Sequence, residues 1–193
     1  MLFLVCGLLV FFTVHIIPAS AAARSSAIER MGANGYKLSF SVLSVIGLVL
    51  IVLGYHALQI DPGQNVVLWN PPAWTRHIAF ALMLPAMILL VAANVPSRIR
   101  TLAKHPMLLA IKIWALAHLI ANGDLASVLL LASFLAYAVF DRISLKQRGS
   151  MGPLGLKTGG PMSDVIVVVA GVALYAAMLL WGHGALIGVA LVG

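Results

Sequence analysis

An all-α fold, a polytopic transmembrane helix bundle of about six helices in one domain over residues 1–193, follows from three features of the sequence. Hydrophobic residues make up 62% of the chain, and the mean hydropathy is +1.07. Only 9% of residues are charged, against about 25% in soluble domains, so there is too little polar side chain to cover a water-facing globule. Apolar runs close to the ~20 residues that cross a bilayer recur along the chain, with basic residues gathered in alternate loops between them. That placement makes the net charge of +7 an orientation signal and removes nucleic-acid binding as its explanation.

The first run covers residues 2–22. Small residues at 19–23 resemble a cleavage site, but the basic segment that opens a secretory signal is missing, so a retained anchor is expected. Pro18 has no N–H to give the Val14 carbonyl, which predicts a bend just past His15. A loop with Arg24, Arg30 and Lys37 leads to the second run, 38–59. The loop 60–73 carries no Lys or Arg; its Asp61-Pro62-Gly63 and Asn70-Pro71-Pro72 are turn-forming and exclude regular helix. The third run is 74–95, with Arg76 at its edge, followed by a loop with Arg98, Arg100 and Lys104.

The fourth run, 107–121, is short and gains length from His105 and Pro106, since proline fits a helix's first turn. Asn122-Gly123-Asp124 reads as a tight turn, with Gly123 suited to a positive φ and Asp124 able to cap the fifth run, 125–140. Asp141 and Arg142 at its end suggest a local ion pair. The loop 144–161 is rich in glycine and expected to be mobile; with Arg142 it adds Lys146, Arg148 and Lys157. Its Gly159-Gly160 lacks the context of a phosphate-binding loop. The sixth run is 165–181, and the tail from His183 is about half a span, able to prolong the helix or lie along the interface. The basic loops place the odd-numbered loops in the cytoplasm and both termini in the periplasm of a bacterial inner membrane. Trp69, Trp74 and Trp181 then fall at the outer interface, where an amphipathic ring is comfortable.

The carboxylates Glu29, Asp61, Asp124, Asp141 and Asp164 all sit at or beyond run ends, which argues against a paired-carboxylate hydrolase. There is no Cys-x-x-Cys, His-Glu-x-x-His or nucleophile elbow, and Cys6 is the only cysteine. Six histidines remain. His118 lies well inside the fourth run, on one face with Met107, Ile111 and Trp114; His15 lies inside the first. His56 and His77 lie near the outer interface, and His105 and His183 read as interfacial. An ionisable residue at membrane depth is costly and by default functional. A neutral imidazole can hold haem iron, and two from different helices could hold it from both sides. Alternatively, the histidines hydrogen-bond across helices and serve packing alone. Lys112 either snorkels to the interface or meets a carboxylate such as a haem propionate.

The run from His105-Pro106-Met107 through Lys112-Ile113-Trp114 to Ala117-His118-Leu119-Ile120-Ala121-Asn122-Gly123-Asp124 resembles the NnrU family of bacterial membrane proteins. So do Phe12-Thr13-Val14-His15 with Pro18, and Arg76-His77 leading to Ala92-Ala93. The likeness covers nearly the whole chain and implies a link to nitrite and nitric oxide metabolism. The family in turn resembles the 15-cis-zeta-carotene isomerase, a haem b membrane enzyme. By that likeness His118 and His15 are the expected iron ligands, with His56 a further candidate for ligand exchange; His77 follows from its depth, and Trp114 and Lys112 complete the candidate cofactor set. The topology sets His15 and His118 about 10 Å apart in depth, which His56 or His77 with His118 would avoid. Expected partners are the bilayer, a lipophilic small molecule, and a second copy or a respiratory-chain protein. A non-enzymatic assembly or transport factor with structural histidines is the other function class.

Overall fold

The computed structural model describes residues 1–150, 155 and 157–192. The chain divides into two compact units, Met1–Val66 with Leu186–Gly188, and Val67–Ala185 with the residues from Val189 onward.

The first unit is a helical hairpin of α1 (Leu2–Ile16) and α2 (Ala21–Ile60). As Pro18 predicts, α1 ends just past His15, and a single 3₁₀ turn, Ile17–Ala19, follows. Ser20 caps α2 by accepting from the Ala23 amide. The segment carrying Arg24 and Arg30 is helix rather than loop, and the chain turns out of it only at Gly32, whose φ of 72° favours glycine. Three glycines set the hairpin's spacing. A Cβ on Gly7 would sit 2.6 Å from the Ile51 amide nitrogen, one on Gly47 would sit 2.8 Å from that of Phe11, and one on Gly54 would strike Leu4. Backbone therefore lies on backbone, the small-residue packing that joins helices where lipid removes any hydrophobic drive between them. Leu4, Leu8, Ile51 and Leu58 fill the seam, while Phe3, Leu9, Leu38, Val45 and Leu53 face outward.

The second unit holds α3 (Thr75–Ala92), α4 (Arg98–Ala103), α5 (Pro106–Ala121), α6 (Leu125–Gln147) and α7 (Pro161–Ala177), then a π-helical turn, Met178–Gly182, and α8, whose residues His183–Ala185 belong here. Its long helices form a row in which α7 packs on α3, α3 on α5 and α5 on α6. The tail thus prolongs the last helix until Gly188, at φ 83°, turns it. Among the described residues five helices are long and apolar enough to cross a membrane; the 16-residue α5 matches the sixth expected run and opens on Pro106 as expected. Among the described residues the only β-pairing is one isolated bridge, Val67 to Asp124.

Three local expectations are corrected. Gly123 does not use a positive φ. It is needed because the Trp69 carbonyl passes where a Cβ would stand, and the Gly123 carbonyl accepts from the amides of Leu68 (2.7 Å) and Trp69 (3.1 Å). The fifth span does not end at 140, because α6 continues to Gln147. That extra length brings Arg148 round to Asp141 at 3.7 Å, so the ion pair is Asp141–Arg148 and not Asp141–Arg142. Asp124 caps α6 as expected, accepting from the Ser127 amide at 2.9 Å and its hydroxyl at 2.6 Å. The expected loop 144–161 opens inside α6, which runs to Gln147, and its residues 151–154 and 156 lie outside the described residues.

Candidate functional site

His118 stands near the C-terminal end of α5, half-buried. Its Nδ1 lies 2.9 Å from the Trp114 carbonyl one turn back. A carbonyl can only accept, so Nδ1 carries the proton and the neutral ring presents its lone pair at Nε2. No hydrogen bond reaches that Nε2 among the described residues. Trp114 packs against the His118 ring at 5.8 Å and meets Phe134 of α6 edge-on at 5.4 Å. The ring of His183 lies 6.4 Å from that of His118, with 13° between their planes. His183 Nδ1 is 2.7 Å from the Val189 carbonyl, so this ring too offers Nε2.

The sequence reads His183 as interfacial and leaves it outside the candidate set; the structure sets its ring beside that of His118. The π-helical turn inserts itself between α7 and α8 and leads the chain on as helix, bringing His183 beside His118. The only hint in the sequence is its place two residues past Trp181, where a seventeen-residue helix would already have ended.

In the hairpin, His15 donates from Nδ1 to the Phe11 carbonyl at 2.7 Å, stacks on Phe11 at 4.0 Å and tilts against Phe40 at 5.0 Å. His56 reaches the Leu186 carbonyl at 3.2 Å. His77 is exposed in the first turn of α3. Lys112 is half-buried on α5 and forms no ion pair among the described residues. The structure thus groups Trp114, His118 and the unexpected His183, leaves His77 outside that group, and places His15 and His56 in the hairpin.

Below Trp114 an apolar groove of about 220 Å³ runs between α3 and α5, lined by Met83, Ala86, Met87, Leu90, Ala110, Ile111 and Trp114 itself. At the other end of α5 His105 is the N-cap residue, makes no side-chain cap bond and is 9% exposed. Burial pushes its pKa below 6.5, helped by the like charges of Arg142, Arg100 and Lys104 and opposed by Asp141. Among the described residues no three His, Cys, Asp or Glu side chains converge as a metal-ion cage.

No curated protein and no solved structure matches the chain. The family model described as NnrU protein matches residues 3–191, across both units and every element of the site, and the chain therefore belongs to the NnrU family.

Proposed function

We propose that this integral membrane protein binds haem b through His118 and His183, lies in the bacterial inner membrane with both termini periplasmic, and serves nitrogen-oxide metabolism or isomerase-like chemistry on a lipophilic substrate. The observation that carries the reading is the His118–His183 pair. If iron were held here, His118 and His183 would each bring a neutral imidazole nitrogen to it. The observed separation is 6.4 Å between nearly parallel rings, and each ring has its Nδ1 committed to a main-chain carbonyl. Such bonds fix the tautomer and raise the basicity of the other ring nitrogen. Two neighbouring imidazoles with Nε2 uncommitted are the donor chemistry that supports this reading.

Haem, when bound, supplies an iron that can change oxidation state and act as a Lewis acid. The chain's own part is positional. The Trp114 carbonyl holds the His118 ring in place, Trp114 packs against that ring and is itself braced edge-on by Phe134, and Lys112 is the half-buried cation of the same helix that a propionate would meet. His183 ranks above His15 as the second ligand because it shares a unit and a ring contact with His118.

The test is an optical spectrum of detergent-purified protein, oxidised and dithionite-reduced, after expression with ample haem. A Soret band with sharp reduced α and β bands is expected, lost or shifted in His118→Ala and His183→Ala. A featureless wild-type spectrum overturns the reading and leaves the histidines as packing groups of an assembly or transport factor. For the topology, cysteines placed in 142–150 should be shielded from an external reagent and those in 60–73 should react; the reverse overturns the orientation.

A further inference from the structure

Arg100 is the most deeply buried charge among the described residues, with 5% of its surface exposed. Its Nη1 donates to the carbonyls of Gly155 at 2.9 Å and Lys157 at 3.4 Å. Its Nε is buried with no partner. No hydrogen bond engages Nη2 among the described residues either. The two carboxylates in this part of the unit are otherwise engaged, Asp164 with Arg98 and Asp141 with Arg148. A buried guanidinium served only by neutral carbonyls is costly unless an anion completes it. The Nε–Nη2 edge left over is the edge that grips a phosphate with two parallel hydrogen bonds.

The surroundings are mainly cationic, with Asp141 the opposing carboxylate. Lys104, exposed after a turn at φ 60°, and half-buried Arg142 join Arg100 around His105, and all three act on that imidazole as like charges. The apolar groove begins close by. Ala110 lies five residues beyond His105, a rise of about 8 Å. The groove then climbs along α3 through Leu90, Met87 and Met83. Its lining is apolar throughout, and its 220 Å³ is below the roughly 300 Å³ at which pockets begin to take drug-sized ring systems, so it suits one flexible chain. Basic pockets between membrane helices are where anionic lipid headgroups settle.

We propose that the second unit carries a binding site for an anionic phospholipid, its phosphate held on the Nε–Nη2 edge of Arg100 with Lys104 and Arg142 around it, and one acyl chain laid in the α3–α5 groove. The committed occupant is a lipid of the bilayer, because the three cations act on His105 at the head of α5 and the apolar groove opens on that same helix at Ala110.

The experiment titrates the delipidated full chain in a neutral detergent with phosphatidylglycerol, phosphatidylcholine or inorganic phosphate, reading bound lipid by native mass spectrometry and stability by thermal melting. Phosphatidylglycerol is expected to bind and raise the melting temperature, with phosphatidylcholine binding about tenfold more weakly. Arg100→Gln should remove that preference. Because Arg100 is buried and its loss could unfold the unit, the double variant Lys104→Gln/Arg142→Gln is measured alongside; it should weaken phosphatidylglycerol binding several-fold while melting normally without lipid. Met87→Trp, which fills the groove, should lower affinity for long-chain lipid and spare inorganic phosphate. Equal binding of the two lipids overturns the proposal, as does phosphatidylglycerol binding unchanged in Arg100→Gln and in the double variant. Full stabilisation by inorganic phosphate alone assigns the site to a soluble anion and overturns the lipid.

Discussion

His15 and His118 make the same bond and live in different company. Each donates from Nδ1 to the carbonyl four residues back on its own helix, at 2.7 and 2.9 Å. Around His15 stand the phenyl rings of Phe11 and Phe40. Around His118 stand Trp114 and a second imidazole. The local bond is therefore a property of the helix, open to any imidazole one turn after a carbonyl, and does not by itself mark a ligand. What separates the two positions is the neighbour that only tertiary structure supplies. The units around them differ in the same sense. The hairpin joins by backbone meeting backbone at Gly7, Gly47 and Gly54, while the row buries polar groups, Ser97, Arg100 and Ser127, among its helices.

The sharpest way to break this comparison is to remove each imidazole in turn. His118→Ala is expected to abolish the haem spectrum and His15→Ala to leave it in place. If the two behave alike, the neighbouring imidazole is not what matters. The glycine seam comes next. Gly54→Ala should cost the hairpin about 1–3 kcal/mol, since the new Cβ meets the Leu4 backbone, which cannot turn aside as a side chain could. Gly35→Ala on the same helix meets only the Met31 side chain at 3.3 Å and should instead stabilise by about 0.5–1 kcal/mol. Unfolding in mixed micelles followed by circular dichroism reads both, and equal signs would mean that the seam is not set by backbone contact. In the row, Asp124→Ala removes the α6 cap and should cost about 1 kcal/mol in the same assay.

Helix number and approximate boundaries are legible because a span needs about 20 apolar residues and leaves a mark in composition that no packing detail can erase. The cap at Asp124 and the bend at Pro18 are legible for a similar reason: each depends on a side chain acting within one turn of its own position. The features that escape the sequence depend on distant chain. Gly123 looks like a turn glycine, but its constraint comes from Trp69, some fifty residues away, and nothing near Gly123 encodes it. The helical course of the segment with Arg24 and Arg30 is hidden because its charge suggests a loop, although a helix tolerates charge on an exposed face. In the site, His118 and Trp114 are legible from one helix face. His183 is not, since its position turns on a π-helical turn that adds no residue type of its own and changes only the phase of the residues beyond it.

The smallest expected effect lies at the opposite end of the row from His118. His105 is buried at the head of α5 among Arg142, Arg100 and Lys104, and its pKa in the folded chain lies below 6.5. The unfolded chain therefore takes up a proton first as the pH drops. Stability linked to His105 is fully present above pH 6.5, falls as the pH moves down from 6.5 toward the folded value, and levels off below it. Melting temperature between pH 7.5 and 5 should accordingly fall more steeply in wild type than in His105→Gln, which cannot take the charge. Because the burial is at one end of a helix and Asp141 opposes the three cations, the difference should be of modest size. Anionic lipid should reduce it further, since a bound phosphate would offset the like charges that His105 faces. Identical slopes in the two proteins would show that the proton lands elsewhere, and a steeper slope in the variant would reverse the sign of the field assigned to this end of the unit.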